Sequence, residues 1–153
     1  MNKKLAEFLE KKQKRAKAKA GDEIDWDDRR NKYLEAVNGL YREIEAELAE
    51  PIARKALTSR RRSKDLTENY IGTYAVDDLI LIIGDEQVRF SARGRNIVGA
   101  SGRVDVVGER GEATLILNPN SGWEFVQSRQ PQLTTVPFDG SSLAEVLQLV
   151  MLV

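Results

Sequence analysis

The sequence predicts an α+β fold: an N-terminal helical arm, followed by an antiparallel β-meander sheet closed by a C-terminal helix. Three observations predict it. The helix formers Ala, Glu, Lys and Leu crowd the first part of the 153 residues, whereas Val, Ile, Thr and Gly crowd the second. Apolar residues recur every three or four positions between Trp26 and Ile52, then at alternate positions in short runs such as Val88, Phe90 and Ala92. Short polar turns separate those runs, which makes sequential strands antiparallel neighbours.

Residues 2–19 read as a first helix. Leu5, Phe8 and Leu9 share one face, but beyond Leu9 only Ala stands among Lys and Arg. One apolar turn does not anchor such a length, so this arm is expected to fray or extend into solvent. Gly21-Asp22 breaks it.

A second helix is predicted over about 25–50. Asp25, Asp27 and Asp28 supply capping oxygens and negative charge at its start. Trp26, Tyr33, Val37, Leu40, Tyr41, Ile44, Leu48 and Ile52 form an apolar stripe, and Glu35, Arg42, Glu43, Glu45 and Glu50 lie off it. Pro51 ends or kinks the helix. The composition changes between 56 and 67, which divides the chain into a helical arm, 1–66, and a small β domain, 67–153. The β domain carries apolar strands, turns and a closing helix of its own, enough for an independent fold.

Leu79-Ile80-Leu81-Ile82-Ile83 is a continuous apolar run, as in a strand buried on both faces. Gly84-Asp85-Glu86 turns the chain into the alternating strand Val88, Phe90, Ala92. Val104 and Val106 mark the next strand. Gly108 to Gly111 is a turn, Ala113 to Leu117 a strand, and Asn118-Pro119-Asn120-Ser121-Gly122 the turn after it. Trp123 to Gln127 and Leu133 to Val136 follow. Asp139 and the Ser142–Glu145 pair read as a helix start. That helix runs to about Leu152 with Leu143, Val146, Leu147, Val150 and Met151 inward.

The formal charge is zero, from 24 basic and 24 acidic residues, but it is unevenly spread. Residues 1–66 are net +5 and residues 67–153 net −5. The first part is itself banded: +6 over 1–19, −6 over 20–50, +5 over 51–66. Blocks of this kind suit exposed helix faces.

Cys and His are both absent. That excludes a disulfide framework, a thiolate nucleophile, a Ser-His-Asp triad and any zinc or iron–sulfur site built on those ligands. A metal would have to be Mg or Ca on carboxylates; no metal and no cofactor is expected. No stretch approaches the ~20 apolar residues of a membrane span. Met1-Asn2-Lys3-Lys4 is basic like a signal-peptide start, yet no apolar core follows, so the expected compartment is the cytosol.

Five groups of residues invite a chemical reading. Gly94-Arg95-Asn96-Ile97-Val98-Gly99-Ala100-Ser101 nearly spells a phosphate loop, but Ala100 stands where Lys belongs and a strand follows where a helix should begin. A wide glycine-rich connection is the simpler reading. The acidic run Asp22 to Asp28 is better explained by helix capping than by calcium, because Arg29 and Arg30 stand where the loop needs a ligand and a glycine. The basic clusters, Lys11, Lys12, Lys14 and Arg15 with Lys17 and Lys19, and then Arg60, Arg61, Arg62 and Lys64, are candidate phosphate contacts. No aromatic residue interleaves with them. Arg89, Arg93, Arg95 and Arg103 accompany Asp105, Glu109 and Glu112, which reads as cross-strand ion pairing before it reads as acid–base chemistry. Trp123 and Phe125 share one strand face, as core or as a ligand platform.

The segments Ile71-Gly72-Thr73-Tyr74, Asn96 to Ala100 and Gly102-Arg103-Val104-Asp105 loosely resemble uncharacterised bacterial proteins with a helical N-terminus and a small C-terminal β domain. The resemblance spans about half the chain; it implies a layout and brings no functional residue with it.

No catalytic constellation emerges, so the leading expectation is a non-enzymatic protein–protein interaction or assembly module. Its partner would be a second copy or another protein, paired through Trp26, Tyr33, Val37, Leu40, Tyr41, Ile44 and Leu48, because one helix with such a stripe needs cover. The alternative cover is the free face of the chain's own sheet. Unspecific nucleic-acid binding through 11–19 and 60–64 is the second expectation, and a His-free small-ligand enzyme using carboxylates of the β domain the third.

Overall fold

Asp25 opens the long helix of the computed structural model, its carboxylate accepting the Asp28 amide at 3.0 Å. The structure describes residues 3–12, 25–95 and 101–152. They form helix α1 (residues 3–12), α2 (Trp26–Glu47), α3 (Ala49–Ala53), seven strands, and α4 (Gly140–Val150). Pro51 lacks the amide that the Glu47 carbonyl would need, so α2 stops at Glu47 and the chain restarts as the single turn α3.

The strands are β1 (Thr58–Glu68), β2 (Gly72–Ile83), β3 (Glu86–Gly94), β4 (Gly102–Val107), β5 (Glu112–Asn118), β6 (Gly122–Ser128) and β7 (Thr134–Pro137). They pair antiparallel in chain order, so the sheet is a seven-stranded meander. Its helix-facing rows run Leu79, Phe90, Val106, Ala113 and Ala92, Val104, Leu115, Phe125, Val136 across the strands. Both α2 and α4 pack on these rows, and one continuous apolar core joins them. At ~25 cal/mol per Å² of apolar surface removed from water, this face is the main source of stability.

Two readings from sequence are corrected here. Residues 60–64, assigned to the helical arm, are the middle of β1, which pairs with β2 along its whole length from Thr58↔Ile82 to Glu68↔Gly72. β1 is an edge strand, and the polar flank of α2 lies against it: Arg61 reaches Glu45 at 3.0 Å and Asn38 at 3.3 Å. Such a strand needs no apolar alternation, and charge on an edge discourages further pairing. The α2 stripe, in turn, is covered by the chain's own sheet. Tyr33, Val37, Leu40, Tyr41 and Ile44 are buried in the shared core, and Trp26 and Leu48 are half-buried. The cover weighed as the alternative is the one present, and the stripe has no free apolar face to offer a second copy.

Two tyrosines show how closely α2 is built into the sheet. The β2–β3 ladder ends at Leu79↔Phe90, after which the Ala92 amide donates to the Asp78 carboxylate instead. The Tyr41 hydroxyl lies 2.8 Å from the Asp77 carbonyl and 3.1 Å from that of Phe90, where the strands part. The Tyr33 hydroxyl accepts the Gly94 amide and donates to the Arg103 carbonyl, both at 2.9 Å, beside the β3–β4 bulge. Burial pushes both phenols well above their ordinary pKa, so they remain neutral donors.

The closing helix starts at Asp139, whose carboxylate takes the Ser142 amide while the Ser142 hydroxyl takes the Asp139 amide. Glu145, the expected partner of Ser142, instead accepts from Gln127 on β6 at 3.3 Å. Leu143, Val146 and Val150 face the core as expected.

Candidate functional site

Because β2 leaves β3 beyond Leu79, the tip of the β1–β2 hairpin is free of the ladder and reaches the first turns of α2. Tyr70, in that tip, stacks on Trp26 with centroids 5.4 Å apart and planes 16° from parallel. Glu68, at the end of β1, is buried, accepts the Tyr74 hydroxyl, and takes the Arg95 amide at 2.7 Å. Gly94 makes that approach feasible: its φ is +99°, and a Cβ there would meet the Glu68 carboxylate at 2.5 Å.

Arg95 is thereby aimed at α2. Its guanidinium carbon lies 5.7 Å from the centre of the Trp26 ring, and that of Arg29, one helical turn on, lies 5.4 Å away. Both arginines line a cavity of about 260 Å³ together with Lys32 and Ser101. Tyr33 forms a wall, and Leu117 with Pro119 closes the apolar side. Lys32 also pairs with Asp28 at 2.9 Å. Burial, and then the nearby Arg29 charge, hold the Arg95 pKa below the ordinary arginine value. Among the described residues no carboxylate lines this cavity, although Glu68 acts on Arg95 and Asp28 on Lys32 from outside it.

The sequence-level candidates fall elsewhere. Lys11 and Lys12 are exposed on α1, and Lys14 and Arg15 lie outside the described residues, as do Lys17 and Lys19. The run from Lys11 to Lys12 shares α1 with Leu5, Phe8 and Leu9, each more than half exposed. The second cluster is divided between the two sides of β1. Arg61 faces α2, lies 5.5 Å over the Tyr41 ring and pairs with Glu45. Lys64 pairs with Asp78 at 2.7 Å and donates to Ser91 at 3.0 Å. Arg60 and Arg62 stay exposed on the face turned away from the helices, with Arg89 two strands along in the row Arg60, Ile80, Arg89. Asp105 is buried between Arg93 and Arg103, at 3.0 and 2.7 Å, so those residues form the cross-strand ion-pair network. Glu109 and Glu112 are exposed at a turn. Trp123 and Phe125 both face the core, and the Trp123 indole donates to the Ala36 carbonyl at 3.0 Å.

A second cavity, about 240 Å³, lies between α2 and α4, with Glu43, Glu47 and Asp139 around an apolar floor. Two of its carboxylates, Asp139 and Glu47, lie at the start of α4. Asp139 is the cap, its pKa lowered by the Ser142 amide, and a Cβ on Gly140 would stand 2.7 Å from the Glu47 carboxylate. Among the described residues no group of acidic side chains is arranged to hold a metal ion, and no helix is long and apolar enough to cross a membrane. The near-miss phosphate loop falls mostly on residues 96–100, outside those described; β4 follows it directly, as its sequence context requires.

Sequence reasoning missed the cavity because its parts are scattered. Trp26 and Arg29 were assigned to a stripe and a capping run, Tyr70 to no element, and Arg95 to a strand network. The available signal was Tyr70 itself, an aromatic beside Asn69 in the turn between β1 and β2. No protein family, curated protein or solved structure matches the chain.

Proposed function

We propose that the chain is a non-enzymatic binding module whose ligand is a phosphate-bearing anion, held in the cavity at the foot of α2. The observation that carries this reading is the convergence of Arg29, Lys32 and Arg95 on one cavity whose described lining holds no carboxylate. A forked guanidinium binds phosphate oxygens in pairs, the ammonium adds a point charge, and the Ser101 hydroxyl offers a further donor. The reading keeps the binding class expected from sequence, gives the ligand the charge expected of the nucleic-acid alternative, and moves the contact away from 11–19 and 60–64.

Calorimetric titration of the full chain with inorganic pyrophosphate tests it. Binding should weaken as salt is raised, because the attraction is electrostatic. Arg29→Ala with Arg95→Ala should lower affinity by at least about tenfold, since a hydrogen bond to a charged group contributes ~1.5–3 kcal/mol. Arg60→Ala with Arg62→Ala, on the opposite face, should leave it unchanged. Absence of binding, or equal loss in both pairs, overturns the reading.

A further inference from the structure

We propose that the outer edge of β1 is a docking surface for an extended acidic segment of a partner protein, which joins the sheet as an added strand with carboxylates at alternate positions. β1 is the first strand in the sheet order and pairs on one side only, with β2, from Thr58↔Ile82 to Glu68↔Gly72. Its eleven residues run without a bulge or a proline, and most of them are exposed. Among the described residues no further backbone hydrogen bond reaches β1, so the peptide groups on its outer side stand ready to pair.

The opposite edge of the sheet is different. β7 has four residues and ends in Pro137, so it offers few groups to a further strand. β1 is neither short nor bulged, and charge is its protection.

That charge has a sign and a place. Arg60 and Arg62 are exposed on the face turned away from the helices, and neither has an ion pair or hydrogen bond among the described residues. Arg89, in the row Arg60, Ile80, Arg89, is exposed and unmatched as well. On the same face Lys64 is matched by Asp78, and Arg93 and Arg103 are matched by Asp105. Two unmatched cations therefore stand at the edge itself, at alternate positions about 6.7 Å apart.

This pattern selects the occupant. A strand added to β1 lies ~4.8 Å away and repeats the same spacing, so carboxylates at two alternate positions come directly opposite both guanidiniums. A second copy of β1 is refused: antiparallel pairing centred on Arg61 sets Arg60 against Arg62, like charges directly opposite one another. A polyphosphate would use the guanidiniums and leave the backbone edge without a partner. An extended acidic peptide uses both, its main chain supplying affinity and its alternate side chains specificity.

The test is an NMR titration of the isotope-labelled full chain with a capped peptide of alternating Glu and Thr, about ten residues long. Its controls are the same peptide methylated on every backbone nitrogen, a peptide of alternating Lys and Thr, and a short DNA duplex. The Glu-Thr peptide should shift the amides of β1 and slow their hydrogen exchange. The methylated peptide should bind at least about tenfold more weakly, because several backbone hydrogen bonds are lost together. The Lys-Thr peptide should not bind. Arg60→Ala with Arg62→Ala, both at exposed positions, should keep the folded spectrum and weaken the Glu-Thr peptide by about twofold to thirtyfold. Arg60→Glu with Arg62→Glu should exchange the preference, so that the Lys-Thr peptide binds and the Glu-Thr peptide does not. Absence of shifts in β1, equal binding of the methylated peptide, or unchanged affinity in the alanine variant overturns the proposal. A duplex that binds β1 more tightly than the Glu-Thr peptide also overturns it, and makes this face a nucleic-acid surface instead.

Discussion

Arginines stand in two contrasting settings in this protein. On the sheet face turned from the helices, Arg93 and Arg103 converge on the buried Asp105. At the foot of α2, Arg29 and Arg95 converge on an aromatic ring and a cavity whose described lining is free of carboxylates. The first arrangement is complete within the chain: each charge has its counter-charge, and the carboxylate cannot be removed without leaving cations unpaired. The second brings the Arg29 and Arg95 charges close enough to oppose one another, with the Glu68 carboxylate acting on Arg95 as well. The same residue type thus sits in an ion-pair network in one place and against an aromatic ring and a cavity in the other.

That contrast can be tested by substitution. The largest effect is expected from Gly102→Ala, which tests whether the cavity walls, unlike its cations, belong to the fold. A Cβ at this position would stand 2.5 Å from the Tyr33 ring. Tyr33 is buried and held through its hydroxyl between β3 and β4, so it has no room to swing aside. Overpacking of this kind destabilises by ~1–3 kcal/mol, and the upper part of that range is expected in denaturant unfolding. Wild-type stability in the variant would mean that Tyr33 is loosely held.

Asp105→Ala comes next. It removes the carboxylate shared by two guanidiniums, at a residue only 5% exposed. Arg93 and Arg103 are themselves partly exposed and retain access to water, which moderates the cost to about 1–2 kcal/mol. Pyrophosphate affinity should not change. A variant as stable as wild type would show that the network is a surface feature with no structural weight.

The smallest change in stability is expected from Arg95→Ala, within about 0.5 kcal/mol of wild type, because loss of the contact with Trp26 is offset by relief from Arg29. The same variant should show the larger loss of pyrophosphate binding. Urea unfolding and titration on one preparation separate the two quantities. Destabilisation comparable to that of Asp105→Ala would end the distinction between the two sets of arginines.

Much of the fold was legible in sequence because local pattern and tertiary environment agree there. The strands from Val88 to Val136 alternate apolar and polar residues where one face meets the helices, and their turns carry Gly, Asn and Pro. The stripe of α2 and the inward residues of α4 were readable at helical spacing for the same reason. β1 was not readable. Ser59-Arg60-Arg61-Arg62-Ser63-Lys64 has no apolar period, and pairing with β2 rather than burial makes it a strand. The candidate site was less legible still. Its aromatic residues and cations come from α2, the β1–β2 tip and the end of β3, and no spacing rule connects Trp26, Tyr70 and Arg95.

The sequence by itself determined where apolar surface had to be buried: along α2, along α4 and on one side of the meander. Hydrophobic periodicity records that requirement locally, residue by residue. Only the tertiary structure decided what would do the burying. A stripe is equally well covered by a second copy or by its own sheet, since the hydrophobic effect has no direction. Here the sheet covers it, and the Tyr33 and Tyr41 hydroxyls satisfy carbonyls and an amide where the strand ladders end or slip. The same parting of β2 from β3 releases the hairpin tip toward α2 and brings Tyr70 onto Trp26. Proximity of that kind depends on where backbone hydrogen bonds stop, a property of paired strands that no single segment carries.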